Sequence, residues 1–158
     1  MEIFLNSLFI FGAKYLFLLS FIIAGIYFLK QPLELKKKMV VFGVLAVIII
    51  YSIAFLASYL YNDPRPFVVD HFTPLVAHSP DNGFPSDHVL MVSAIAAVLY
   101  FFNRKIGLAL LVISILVAIS RVYVGVHHPI DVISSVTFSF IGASVAYIFL
   151  KNVRSKKV

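Results

Sequence analysis

His127 and Asp131 stand four positions apart in the stretch Ser120-Arg-Val-Tyr-Val-Gly-Val-His-His-Pro-Ile-Asp131. That spacing puts an imidazole and a carboxylate on one face of a helix that begins near the histidines. A carboxylate so placed accepts from one ring nitrogen, fixes the tautomer, and leaves the other nitrogen to attack or to take a proton. Pro129 suits the first turn of such a helix, where its missing N–H would go unpaired anyway. The plainer alternative is an interfacial histidine pair capping a helix. Arg121, in the same stretch, calls for an anionic partner at membrane depth, and its planar fork matches two phosphate oxygens. Its plainer alternative is an arginine snorkelling to the interface.

Two other polar islands complete the inventory. In Phe84-Pro-Ser-Asp-His88 a loop enters a helix, so free N–H groups, the Ser86 hydroxyl and the positive end of the helix dipole make an anion site. His88, in the first turn, is placed to give a proton to a leaving group. Asp87 is favourable in a first turn but would oppose a phosphate if it faced inward, so it is expected to point away or to pair with an arginine. In Asn62-Asp-Pro-Arg-Pro-Phe67, the prolines on either side of Arg65 stiffen the backbone and lower the entropy cost of presenting its side chain. A solvated loop charge is the alternative there. A nucleophile or base, its orienting carboxylate, two anion clamps, an anion nest and a general acid are what phosphoryl transfer requires. A metal site would use the same histidines, but the chain lacks HExxH and the acidic clusters that hard cations need, so no metal or other cofactor is expected. His71 and His78 have no motif around them and read as structural or rim residues.

These islands interrupt a chain of 158 residues that is 61% hydrophobic, with a mean hydropathy of +1.01. Ordinary soluble domains are about half apolar and roughly a quarter charged, so the composition reads as an integral membrane protein. The absence of cysteine excludes disulfides, zinc thiolates and thiol nucleophiles. The net charge of +6 does not point to nucleic acid, because the basic residues sit in short clusters beside apolar runs, as topology signals do. The N-terminus does not read as a cleavable signal, since Glu2 precedes any basic residue and no small-x-small site closes the first apolar run.

Crossing the hydrocarbon core takes roughly 20 apolar residues in a helix, and five runs qualify: about 12–29, 39–60, 87–102, 106–123 and 130–150. Ser86 is the expected N-cap of the third. Residues 2–11 either extend the first span or form a short interfacial helix, and Lys14 argues for a break nearby. The fold class expected is all-α, a polytopic helical bundle, with residues 1–158 a single domain. Lys30, Lys36, Lys37, Lys38, Arg104, Lys105, Lys151, Arg154, Lys156 and Lys157 all fall on one side of a five-span arrangement, which the positive-inside rule makes cytoplasmic. The three islands then share the extracytoplasmic face, with the N-terminus outside and the C-terminus inside.

Arg65-Pro66, then Pro85-Ser86-Asp87-His88, then Ser120-Arg121 with His127 and Asp131 behind it, resemble in order and spacing the tripartite signature of the type 2 phosphatidic acid phosphatase superfamily. The resemblance covers about residues 58–131. It implies that His127 forms a phosphohistidine, that Asp131 orients it and that His88 protonates the leaving oxygen. Arg65, Arg121 and Ser86 would hold the phosphate without a metal, with Pro66 and Asp87 beside them in the binding set. Two positions depart from the pattern. Ser58 stands where the superfamily usually has a lysine, and Asp87 replaces the usual glycine. The Pro-Ser-Asp-His variant, with His78-Ser-Pro-Asp-Asn-Gly-Phe84 before it and Arg121-Val-Tyr-Val-Gly-Val-His127 after it, resembles the bacitracin-resistance type of undecaprenyl-diphosphatase.

The resemblance therefore implies a multi-pass lipid (pyro)phosphate phosphatase of the cell membrane, acting on undecaprenyl diphosphate at the extracytoplasmic face. Its partners would be a polyprenyl or glycerolipid phosphate and the bilayer, with no nucleic acid. A phosphatidylglycerophosphate or phosphatidic acid phosphatase is the alternative within the enzymes. A small membrane transporter that binds an anion without turning it over is the alternative outside them.

Overall fold

The computed structural model describes residues 1–155; Lys156 and Lys157, part of the last basic cluster, lie outside the described residues. Seven helices follow one another: α1 (Glu2–Lys14), α2 (Leu16–Leu29), α3 (Leu33–Leu60), α4 (Pro66–Val69), α5 (Asp87–Tyr100), α6 (Arg104–Tyr123) and α7 (Pro129–Ser155). Among the described residues the only β pairing is an isolated bridge between Pro64 and Asn82. α3, α6 and α7 are each long and apolar enough to cross a membrane. α1 and α2 together make a fourth candidate span across a 46° bend. The break falls at Tyr15, directly after Lys14, so residues 2–11 continue the first span as a bent helix.

The third expected span, 87–102, is where the structure departs from the five-span reading. α5 has 14 residues, about 21 Å at 1.5 Å per residue against a hydrocarbon core of about 30 Å. It is short because the chain has already descended into the bundle before the helix begins. Pro85 and Asp87 line one pocket with Tyr51, Ala54, Phe55 and Ser58 of α3, several residues below the Leu60 end of that helix. α5 is the central helix: Val89, Leu90, Val92, Ser93, Ala94, Ala96, Ala97 and Leu99 are all buried, under α3, α6 and α7.

Small residues let the helices approach. Ala46 and Ala54 of α3, Ala94 and Ala97 of α5, and Ala143 and Ala146 of α7 form one core with Phe42, Ile50 and Leu90. Gly12 lets α1 lie against α6, because a methyl group there would run into the Ser120 side chain. Phe9 stacks on Tyr123 at 4.0 Å, and the Tyr123 hydroxyl donates to Asn6 Oδ1 at 2.9 Å, fixing the same contact. Outward faces stay apolar, with Val44, Ile48, Phe55, Ile115 and Ile133 exposed. That pattern suits helices whose solvent is lipid.

Between α5 and α7 the contact is polar. The Ser93 and Ser139 hydroxyls lie 2.7 Å apart, the Ser135 hydroxyl donates to the Ser86 carbonyl at 3.0 Å, and the Ser139 hydroxyl reaches the Leu90 carbonyl at 3.3 Å. All three serines are fully buried. Hydroxyls on small side chains hold membrane helices together where apolar burial gives no net drive. This ladder sets the start of α5 against the start of α7, which is where the polar islands meet.

Candidate active site

The third island is shaped by a turn that only glycine makes easily. α6 ends at Tyr123, and Gly125, at φ +81°, reverses the chain so that Val126 and His127 face back into the bundle. α7 then opens at Pro129, as the missing N–H favours. His127 Nδ1 lies 3.2 Å from Asp131 Oδ2, which also accepts the backbone N–H of His128 at 2.9 Å. The proton is thereby placed on Nδ1, and the lone pair on Nε2. Arg121 Nη2 stands 3.3 Å from Nε2 and Arg65 Nη1 stands 3.4 Å from it. The free nitrogen therefore faces the space between two guanidinium groups.

Burial makes this arrangement demanding. Arg65, Arg121 and His127 are 4%, 2% and 2% exposed, and Asp131 is fully buried. Arg65 is tied by two long-range bonds, from Nε to Asp81 Oδ1 at 2.7 Å and from Nη1 to the Val126 carbonyl at 2.8 Å. Arg121 keeps its Nε buried without a hydrogen-bond partner, and so does the fully buried Ser86 Oγ. Buried donors of this kind are costly to leave unpaired. Arg121 Nε and Ser86 Oγ are thus groups poised for a polar ligand. An anion with several acceptor oxygens is the ligand that suits both them and the paired guanidiniums.

The charges also tune the imidazole. Burial pushes His127 below its ordinary value, the hydrogen bond to Asp131 works against that, and the charges of Arg121 and Arg65 push the same way as burial. The balance favours the neutral ring. His78 is likewise lowered, by burial and then by Arg65 and Arg121. For Asp81, burial works to raise the carboxyl, but the hydrogen bond and charge of Arg65 outweigh it and hold the group low.

The other expected residues fall as follows. His88, in the first turn of α5, packs its ring edge against Phe17 of α2 at 5.3 Å and is close enough to interact with the charges of Arg121 and His127. Ser86 is the N-cap of α5, though its hydroxyl makes no capping bond and its N–H goes to the Asp131 carbonyl at 3.4 Å. Pro66 opens α4, and its carbonyl accepts from Asp70, so it shapes the backbone that presents Arg65. Asp87 is exposed and turned to the pocket it shares with Tyr51, Ser58 and Asn82. Ser58 bonds its own helix, at the Phe55 carbonyl, and its hydroxyl does not stand in for a lysine at Nε2.

Three participants were missed from sequence. Asp81 holds Arg65. Asn82 Oδ1 accepts from the backbone N–H of Asp63 and of Phe84, while Nδ2 donates to the carbonyls of Ser58 and Tyr61. That one side chain staples the first island to the second. His78, read as a rim residue, places its ring 6.2 Å from that of His127. Asp-Asn-Gly is turn chemistry in any loop, so the available signal was the charge of Asp81, complementary to an unpaired arginine. One further grouping gathers here: Asp63, His128 and Asp131 each bring one atom within 4.8 Å of the others.

Residues 36–155 match the model of the PAP2 superfamily, and the chain belongs to that superfamily. Among its relatives is the putative undecaprenyl-diphosphatase YbjG of Escherichia coli, 30% identical over 151 residues that cover 95% of this chain and 76% of that protein. Undecaprenyl-diphosphatase BcrC of Bacillus subtilis is 37% identical over 99 residues, 63% of this chain and 50% of the relative, so the match spans half of that protein's length. In fold, the chain is similar to Aquifex aeolicus LpxE, with a TM-score of 0.66 at 23% identity over 92% of this chain and 84% of that one. It is also similar to the PAP2 type phosphatidylglycerolphosphate phosphatase of Bacillus subtilis, with a TM-score of 0.59 at 24% identity over 95% and 78%.

Proposed function

We propose that the protein is a lipid diphosphate phosphatase that converts undecaprenyl diphosphate to the monophosphate through a phosphohistidine at His127. The observation that carries this reading is the setting of His127 Nε2, with Arg121 Nη2 at 3.3 Å and Arg65 Nη1 at 3.4 Å while Nδ1 is committed to Asp131. The Nε2 lone pair attacks the terminal phosphorus as the bond to the bridging oxygen breaks. The two guanidiniums and Ser86 take the charge on the equatorial oxygens. The leaving lipid phosphate departs with the electron pair and receives a proton from His88. Water then attacks the phosphohistidine and gives its proton to His88. Inorganic phosphate leaves, and Nε2 is free again. Asp131 stabilises the imidazolium character that His127 acquires on attack.

The relatives named undecaprenyl-diphosphatase support the substrate class. So does an apolar groove of about 600 Å³ between α6 and α7, which reaches Tyr123 and Pro129 beside the site and gives a long tail room next to the headgroup. An extracytoplasmic site is supported by the positive-inside rule, since the basic residues Lys38 and Lys151 share a pocket at the opposite end of the bundle.

The test is phosphate release by the purified protein from undecaprenyl diphosphate, phosphatidylglycerophosphate and phosphatidic acid, with His127→Ala as the blank. Preference for the diphosphate and an acid-labile phosphate on His127 are the expected results. A clear preference for the glycerolipid phosphates would move the assignment to that class, and release undiminished in His127→Ala would remove the nucleophile.

A further inference from the structure

The mechanism leaves one buried oxygen unexplained. Asp131 is fully buried, and both hydrogen bonds of its carboxylate use Oδ2, from His127 Nδ1 and from the His128 backbone. Oδ1 has no donor among the described groups. A buried carboxylate oxygen without a donor is costly, and here it belongs to the group that aims the nucleophile.

Asp63 lies beside it. The loop after α3 fixes the Asp63 backbone from both sides, its N–H donating to Asn82 Oδ1 at 2.9 Å and its carbonyl accepting from Gly83 at 2.8 Å. One carboxyl oxygen of Asp63, one of Asp131 and a ring nitrogen of His128 lie within 4.8 Å of one another, and Asp63 Oδ2 stands 3.3 Å from His128 Nδ1. Two carboxyl groups this close do not both ionise cheaply, and they are most stable sharing one proton. Burial first, and the Asp131 charge second, raise the Asp63 carboxyl above the usual carboxylate range, against the opposing pull of His128. The charged groups facing Asp63 are His128 and Asp131, with His127 behind Asp131. Arg65, two positions on, is turned to Asp81 and the Val126 carbonyl.

We propose that Asp63 is a positioning residue: it stays a neutral acid whose hydroxyl donates to the buried Asp131 carboxylate, and so locks the group that orients His127. Asp63 Oδ2 lies beside His128 Nδ1, a buried nitrogen with no hydrogen-bond partner among the described residues. Asp63 thereby links the first island to the third, without itself touching the substrate. The inference rests on His127 and Asp131 acting as proposed above, and it adds a third carboxyl-level contact to them.

The test compares Asp63→Asn and Asp63→Ala in the full chain, assayed for phosphate release from undecaprenyl diphosphate across pH, again with His127→Ala as the blank. The asparagine amide supplies an N–H donor in place of the acid hydroxyl, so Asp63→Asn is expected to keep kcat within about threefold of the parent. Asp63→Ala is expected to lower kcat by about 10- to 100-fold with little change in KM. The parent is expected to lose activity on the alkaline side as Asp63 ionises, and Asp63→Asn to lack that limb. If Asp63→Ala does not fold, the alkaline limb of the asparagine variant decides alone, and a limb unchanged from the parent overturns the idea. Asparagine as damaging as alanine, or activity lost in EDTA and restored by Mg²⁺, also overturns it, because the carboxyl would then be needed as an anion. Release that persists in His127→Ala instead fails the parent mechanism, independently of Asp63.

Discussion

Arg65 and Arg121 are 4% and 2% exposed at one end of the bundle, whereas at the other end the paired Lys37 and Glu34 side chains are 62% and 77% exposed. The lysine end spends its charge on water and lipid headgroups, where an i,i+3 pair contributes little. The arginine end confines its charge around one imidazole nitrogen, and bonds to Asp81 and the Val126 carbonyl hold Arg65 there. Position relative to the helix ends separates a topology signal from a working cation, although in composition both are only basic residues beside apolar runs.

Substitutions at the two ends should therefore differ by orders of magnitude. His127→Ala removes the nucleophile proposed above and is expected to cost on the order of 10⁴-fold in kcat, read as phosphate release. Arg121→Lys keeps the charge but loses the fork beside Nε2, and about 10²-fold in kcat/KM is expected to go with it. A smaller effect separates the two ends by pH. His127 sits below its ordinary value of 6.5 because burial, with help from Arg121 and Arg65, outweighs Asp131. The neutral form needed for attack therefore persists at pH 6.5, and the acid limb of kcat/KM should lie below that. Arg121→Gln removes a positive neighbour, so the limb should move upward; a limb that stays in place would contradict the electrostatic account. Smallest of all, Lys37→Ala should leave turnover unchanged and shift stability by less than about 0.5 kcal/mol in a thermal melt.

How much of this was legible in the sequence depended on distance along the chain. The His127–Asp131 bond was readable because it is local, four positions at the start of a helix, and the break near Lys14 was readable for the same reason. The helical bundle followed from apolar runs that only helices can carry through lipid. The hold of Asp81 on Arg65 was not readable, because an aspartate in a turn looks the same whether it meets water or a guanidinium. Asn82 gave no signal either, since its four bonds go to backbone atoms that any residue provides. The run 87–102 reads as short for a span, and the helix it forms starts where expected and ends two residues sooner, at Tyr100; what hydropathy did not report is how deep the preceding loop has gone. Phe101 and Phe102, counted into that span, pack on Phe42 beyond the helix end.

The shortness of α5 has a consequence for the bilayer itself. α5 begins beside Tyr51 and Ala54, while α3 climbs on to Leu60, a difference of about 9 to 14 Å at 1.5 Å per residue. Asn82 clamps the descending loop to the top of α3, so the depth of the reactive nitrogen is a fixed property of the protein. The height of the headgroup plane belongs to the lipids, which thicken or thin by a few ångströms with chain length and sterol content. With Nε2 as the proposed attacking atom, membrane thickness sets the gap a phosphorus atom must close to reach it, and a change of host lipid would alter turnover with every residue left in place.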